Sequence, residues 1–402
     1  MKAIKQVLGE NLRQYTMVLA LAVLILIFNV ISGGRMLTSS NFQNLLSGNA
    51  YVLILALGML MVIVIGQIDL SVGSVAGFSG MVMALVAKNL NVPWFIAVLI
   101  ALAIGALVGA WNGFFLAKLG IPGFITTLGS MMMFRGGVIW ISQSISVPAP
   151  EELRFFGAGY MPEWGPTFTG MNNSTLLLGL IGIAIFIFFE LRKYKRSSAA
   201  DAKAPLWPVI ARIVLVSVII GYFTWLYGSG REGTSFPIPG LILLILVIIY
   251  HTITQRTRFG RHVYAVGGNK SAAALSGVNV SRTYFLTMMN MSMLAAVAGI
   301  LFVGRATAAG PSDGNSWEMD AIASVFIGGA SVSGGVGTIL ATMVGGMVMA
   351  VLNNGLMLMG VGADKTQVIK GLVLLLAVTF DVYNKRAGKE SIIDKLFGKK
   401  NK

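Results

Sequence analysis

Residues 62–81 read Val-Ile-Val-Ile-Gly-Gln-Ile-Asp-Leu-Ser-Val-Gly-Ser-Val-Ala-Gly-Phe-Ser-Gly-Met, and between Arg35 and Lys88 the Asp of this stretch, Asp69, is the only charged residue. An acid at the centre of a bilayer helix costs about 2.5–3.5 kcal/mol, so it faces a bundle interior, a polar partner or a water-filled path. Gly58, Gly66, Gly73, Gly77 and Gly80 surround it. Each Gly costs about 1 kcal/mol relative to Ala in a helix interior, so this density points to a broken or tightly packed membrane helix. The stretch reads as a functional break.

The rest of the chain has the composition of a protein whose solvent is lipid: 402 residues, 56% hydrophobic and 11% charged, with a mean hydropathy of +0.80. The net charge is +15, yet the basic residues sit in short loops and tails between apolar runs. That is the positive-inside pattern and not the basic face of a nucleic-acid binder. With no cysteine, disulfides, thiolate metal sites and cysteine nucleophiles are excluded. His251 and His262 lie near a membrane boundary and read as interfacial. The apolar run after Lys2, Lys5 and Arg13 exceeds the roughly 7–15 residues of a signal-peptide core and lacks a small-residue cleavage site. It is therefore the first span, and its basic flank places the amino terminus in the cytoplasm.

Runs of the about 17–25 apolar residues that a bilayer requires fall at 15–33, 49–66, 69–87, 93–117 and 121–143, a first half covering 15–143. The polar stretch from Ser146 to Asn173 reads as an extracytoplasmic loop. Spans at 174–191 and 207–227 form an additional hairpin, 174–227, around a loop with Arg192, Lys193, Lys195, Arg196 and Lys203. The second half, 240–383, holds 240–254, 283–303, 318–330, 334–359 and 366–383, with a long cytoplasmic loop at 255–282 and a basic cytoplasmic tail at 384–402. Counted on this ladder, 21 Lys and Arg fall on the cytoplasmic side and six on the other. The expected fold is all-α, one polytopic bundle of about 10–12 transmembrane helices, with 318–330 short for a crossing.

Ile65-Gly66 through Ser71-Val72-Gly73 aligns with Ile327-Gly328 through Ser333-Gly334-Gly335 at identical spacing. That repeat fits two related halves whose interrupted helices flank a midplane path, though a chain with 49 glycines also offers chance matches. In the loop 255–282, Ser271 to Leu275 can form a short helix after Gly267-Gly268-Asn269, ended by Gly277. A small exposed helix on a membrane protein's cytoplasmic loop fits docking, against the plainer reading of a solvated connector. Gly267-Gly-Asn-Lys-Ser271 lacks the glycine before the lysine and a leading strand, and Gly228 to Gly233 lacks a strand too, so neither is a nucleotide site. No Gly-x-Ser-x-Gly elbow or His-Glu-x-x-His pair occurs. The chain is expected to be no enzyme, with no catalytic residue, metal or cofactor; any ATPase is another polypeptide. Asn112, Arg135, Asn353 and Asn354 are further polar residues within spans, fitting interhelical hydrogen bonds as well as a ligand path. Gly105 and Gly109 read as helix packing, and the 22 methionines as bundle filling.

These residues resemble, in order and spacing, the permease subunits of bacterial ABC importers for monosaccharides, the ribose, galactose and xylose group. The resemblance rests on Gly66-Gln-Ile-Asp-Leu-Ser-Val-Gly73, Ile121-Pro-Gly-Phe-Ile-Thr-Thr-Leu-Gly129 with Phe134-Arg135-Gly136, Tyr264-Ala-Val-Gly-Gly-Asn269, Leu275-Ser-Gly277, Glu318-Met-Asp-Ala-Ile-Ala323, Ile327-Gly-Gly-Ala-Ser331 and Leu352-Asn-Asn-Gly355. Gln67 stands where that family often has Gly, and the hairpin at 174–227 is similar to the xylose or multiple-sugar branch. The resemblance implies a homodimer in the bacterial inner membrane with both termini cytoplasmic, a separate nucleotide-binding ATPase, a periplasmic sugar-binding protein and a sugar as cargo. It implies that Arg258, Gly260, Tyr264, Gly267, Gly268, Asn269, Ala273, Leu275, Ser276 and Gly277 form the ATPase-coupling loop. Glu151, Glu152, Arg154, Arg231 and Asp313 would receive the binding protein. The translocation path or helix break is assigned to Asp69, Ser71, Gly73, Asn112, Phe124, Thr126, Ser333 and Asn353. Asp69 reads either as a cap on the interrupted helix or as a path residue. Three other readings stay open: an ion-coupled secondary transporter using Asp69, a membrane scaffold, and an ABC permease for a nucleoside or furanose signal.

Overall fold

The computed structural model describes residues 12–166, 169–200 and 206–386. The amino-terminal Met1–Glu10, Lys203 and the tail beyond residue 386 lie outside the described residues. The protein is a polytopic all-α membrane protein. Nine helices among the described residues are long and apolar enough to cross a membrane. In chain order the helices are α1 (Leu12–Ile31), α2 (Ser39–Val64), α3 (Val72–Leu90), α4 (Trp94–Ala117), α5 (Gly123–Ser142), the short α6 (Leu153–Ala158), α7 (Asn173–Ala200), α8 (Trp207–Gly228), α9 (Ile238–Arg256), α10 (Arg258–Gly268), α11 (Lys270–Leu275), α12 (Val280–Ala306), α13 (Trp317–Ile327), α14 (Ile339–Leu358) and α15 (Ala363–Arg386). The strands β1 (Val147–Pro148) and β2 (Ala308–Ala309) pair antiparallel.

Two helices make the centre. α2 is apolar on every side along Val52–Val64 and is buried there throughout, as a helix without a polar face must be. α12 packs against α2, α3, α4 and α6. Its seam with α4 is made by three glycines four residues apart. A Cβ on Gly105 would lie 2.7 Å from Ser292 O, one on Gly109 2.5 Å from Met289 Cα, and one on Gly113 3.0 Å from Phe285 O. Without hydrophobic force between helices in lipid, such close backbone approach supplies the attraction.

The hairpin α7–α8 is peripheral and mostly exposed. It is fastened to α2 by Phe42, whose ring sits 5.6 Å from Phe223 and 6.0 Å from Tyr227, and by Gln43 Nε2 donating to Tyr227 O at 2.8 Å. α13 is only 11 residues long. A similar local event falls in both aligned stretches, one residue out of register: α2 stops before Gly66 at φ 75°, and α13 stops before Gly329 at φ 82°, whereas Gly328, the residue aligned with Gly66, has φ −64°. The second link, 328–338, then runs further than 65–71 before its next helix begins.

Candidate functional site

Three groups of polar or unusually close residues stand out, one at the Asp69 break, one beside α10–α11 and one at the opposite end of α12. In the break, Asp69 Oδ1 accepts from Ser71 N at 2.8 Å and from Ser71 Oγ at 2.6 Å. Asn112 Nδ2 donates to Ser71 Oγ at 3.1 Å, and Ser130 Oγ donates to Asn112 Oδ1 at 2.5 Å. All four residues are buried, so this network ties the start of α3 to α4 and α5. A second line supports it: Leu70 N donates to Thr127 Oγ1 at 3.1 Å, and Gly123 N donates to Gln67 Oε1 at 2.9 Å. Gln67, the departure from Gly, thus caps the amino end of α5, an end with otherwise unpaired N–H groups.

Helices α10, α11 and α12 follow one another because each has its own cap. Thr257 Oγ1 accepts from Gly260 N at 3.1 Å, Asn269 Oδ1 from Ala272 N at 2.9 Å and Asn279 Oδ1 from Arg282 N at 2.8 Å. Lys270 Nζ lies 5.5 Å from the Tyr284 ring centroid, pinning α11 to α12. The outer side of α11 ends in Leu275, which is 91% exposed, whereas Ala273 faces inward and is buried. Gly277 turns the chain at φ 83°.

At the end of α10 three chain segments meet backbone to backbone. Gly335 N donates to Val64 O at 2.8 Å, joining the two helix breaks. Gly267 sits on both: a Cβ there would collide with Val64 O and lie 2.8 Å from Gly335 N. Gly335 in turn faces Gly268 Cα, and Gly334 faces Gly267 O. Gly334 and Gly335 hold φ near 80° and 74°, where a side chain is strained. Tyr264 adds a side-chain tie, its Oη donating to Gly337 O at 2.7 Å. Burial raises the Tyr264 phenol above its ordinary pKa, so it stays a neutral donor.

The third group lines a cavity of about 700 Å³ at the far end of α12 from α10–α11. Its walls come from the amino ends of α2, α13 and α15 and the carboxyl ends of α12 and α14, and include Asn41, Asn44, Asn49, Tyr51, Arg305, Trp317, Asp320, Asn353, Asn354, Gln367 and Lys370. Lys370 Nζ is 2.7 Å from Asp320 Oδ1, and Arg135 Nη2 is 3.7 Å from the neighbouring acid Glu318. Half-helix α13 therefore carries two buried acids in its first turn, each matched by a cation from a different helix. Arg305 Nη1 donates to Ser47 Oγ at 2.5 Å.

The residues assigned to the break or path do not form one site. Asp69, Ser71 and Asn112 come together, and Gly73 packs on the Gly314 backbone and lies near Glu318. Thr126 is half-buried on α5, Phe124 points outward from it, and Ser333 lies on the exposed side of the second link. Asn353 belongs to the cavity. Most cavity residues escape a reading of apolar runs, although Asn41, Asn44 and Asn49 recur along one helix and Asn353 with Asn354 is an obvious polar pair.

The chain matches, over residues 41–378, the model of the family described as branched-chain amino acid transport system / permease component. The xylose transport system permease protein XylH of Escherichia coli is 36% identical over 378 residues, covering 94% of this chain and 93% of the relative. Its namesake in Haemophilus influenzae is 34% identical over 380 residues, 94% and 98% of the two chains. The ribose import permease protein RbsC of Escherichia coli is 32% identical over 363 residues, 90% and 92%. No solved structure matches the chain.

Proposed function

The chain belongs to the family of branched-chain amino acid transport system permease components, and on that premise we propose that it is the membrane subunit of an ATP-driven importer carrying a monosaccharide, with xylose the first candidate. Relatives named for xylose and ribose transport, matching nearly end to end, support a pentose as cargo. The observation that carries the coupling mechanism is the glycine junction: the capped helix pair α10–α11 is packed directly on both helix breaks. An ATPase seated on Leu275 and the exposed side of α11 moves α10, and α10 has no side-chain cushion between itself and Val64 or Gly335. Its motion passes into the links 65–71 and 328–338.

In this reading the α10–α11 end is cytoplasmic, both termini share that side, and the membrane is the bacterial inner membrane. The cavity then opens to the periplasm, where exposed Glu151, Glu152, Arg154 and Arg231 with half-buried Asp313 steer a sugar-binding protein by rim charges. Two copies of the chain enclose the path, with lipid around them. Asp69 serves as a brace at the entry to α3, its Oδ1 engaged by Ser71 N and Oγ and its Oδ2 buried without a hydrogen-bond partner in the protein. An uncharged cargo needs no carboxylate counter-charge.

The test is a pull-down of the tagged, detergent-solubilised permease with its native partners, wild type against Leu275→Glu. The wild type is expected to bring down an ATPase, and the variant to lose it while eluting as a folded protein, because a charge replaces the exposed apolar knob. Recovery of no ATPase by wild type, with uptake that collapses under an uncoupler at constant ATP, would overturn the proposal in favour of ion coupling.

A further inference from the structure

We propose that the cavity at the periplasmic end of α12 is a transient binding site for one neutral sugar, recognised by carboxamides. This rests on the sugar-permease reading and adds a place on the chain where the cargo pauses. Seven carboxamides line the cavity: Asn41, Asn44, Asn49, Asn315, Asn353, Asn354 and Gln367. A carboxamide offers donors and an acceptor together, as a hydroxyl does, so this wall meets a ring of hydroxyl groups in many orientations. A wall of carboxylates or ammonium groups meets only half of them.

The one acid lining the cavity is already paired, and Arg305 meets a neutral hydroxyl. Asp320 is held by Lys370 at 2.7 Å, and Arg305 donates to Ser47. No carboxylate is left over to attract a cation, and neither cation is left without a protein partner. Two amides form a closed pair across the cavity, Asn41 Nδ2 donating to Asn354 Oδ1 at 2.9 Å and Asn354 Nδ2 to Asn41 Oδ1 at 3.0 Å. Such a pair satisfies itself and, once parted, presents two donors and two acceptors to a ligand. Asn353 Oδ1 is buried without a hydrogen-bond partner in the protein, an acceptor for a sugar hydroxyl. Trp317 supplies an apolar wall made rigid by Tyr51 at 4.3 Å and Phe302 at 4.6 Å between ring centroids, against which the C–H face of a sugar ring can rest.

The cavity and the ATPase-docking helix stand at opposite ends of a 27-residue helix, about 40 Å apart at 1.5 Å per residue. Sugar entry and ATPase docking are thus separate events at separate ends. Because each amide–hydroxyl bond replaces one to water, its net worth is only about 1 kcal/mol. A few such bonds hold the sugar in the millimolar range, tight enough to accept it from the binding protein and weak enough to pass it on.

The test is saturation-transfer NMR on the permease alone in nanodiscs, with xylose, ribose and the acid sugar glucuronate as ligands and empty nanodiscs as blank. Transfer to both pentoses is expected at millimolar concentration, with little to glucuronate. The Asn353→Leu variant is expected to weaken it about five- to tenfold, the loss of one hydrogen bond. Gln367 is exposed at the rim, so Gln367→Leu is a second variant whose folding is not at stake, and it is expected to weaken transfer in the same direction. Absence of pentose transfer, equal transfer in wild type and both variants, or stronger transfer to glucuronate would overturn the proposal. A wild type that recovers its ATPase but shows no pentose transfer sinks this inference alone; one that recovers no ATPase sinks the importer reading beneath it.

Discussion

Replacing Gly267 by Ala adds one methyl group where α10 and the two helix breaks touch. That methyl is aimed at Val64 O and Gly335 N, two backbone atoms that already bond each other at 2.8 Å. Neither can swing aside as a side chain does. Forcing a methyl into a filled site costs about 1–3 kcal/mol, and loss of the Gly335–Val64 hydrogen bond adds about 1 kcal/mol. The junction is weakened by about 2–4 kcal/mol, or about 30- to 1,000-fold in the balance between joined and parted forms. The neighbouring Gly268→Ala is the control, since a Cβ there meets nothing within 4 Å and its cost stays within about 0.5 kcal/mol. In proteoliposomes with ATPase and binding protein, Gly267→Ala should keep ATPase docking and basal hydrolysis but lose most sugar uptake per ATP, while Gly268→Ala matches wild type. The same uptake per ATP in both variants, with Gly267→Ala folded and docked, refutes the coupling role of the junction.

Asp69→Asn keeps an acceptor toward Ser71 N and Oγ and is expected to retain most of the transport, whereas Asp69→Ala loses both bonds and about 2–3 kcal/mol of stability; abolished uptake in the Asn variant with normal ATPase binding would put the carboxylate in the path. Lys370→Met leaves Asp320 buried without its partner and should cost about 3–5 kcal/mol, much of it restored by adding Asp320→Asn. A double-mutant cycle on the melting midpoint decides this, and no recovery in the double variant counts against the ion pair. Gln67→Ala removes the acceptor for Gly123 N and should lower stability by about 1 kcal/mol; an unchanged melting curve would show that the cap is idle.

What the sequence makes visible is what periodicity and spacing encode. The crossings follow from apolar runs, the α4–α12 seam from glycines four apart, and α11 from turn residues on either side of small ones. What it hides is the polar wall. The apolar reading starts the second span at 49, yet α2 begins at Ser39, because Asn41, Asn44 and Asn49 line a cavity and so do not look like a membrane helix. Glu318 is legible only as part of a motif, and nothing local says that its cation is Arg135, or that Asp320 meets Lys370. Those pairs join segments distant in the chain and exist only once α13 is folded between α5 and α15. The junction is hidden for the same reason: Gly267 is legible as a loop glycine, but the reason it must be Gly is the position of Val64 O.

The two ends of α12 are closed by different physics, and the difference fits a pump worked from one side. Where α10 meets the breaks, closure is backbone on backbone, with the Tyr264 hydroxyl on Gly337 O beside it; on the proposed reading it opens when a rigid body moves, and α10–α11 is that body. At the cavity, closure is by side chains: a reciprocal amide pair, a lysine on an aspartate, a guanidinium on a serine. Such bonds exchange readily for bonds to water or hydroxyl groups, each at about 1 kcal/mol net. A sugar can thus loosen the end at which it arrives without loosening the other. On the proposed reading the energy of ATP is needed only at the glycine junction, beside the helix proposed to dock the ATPase.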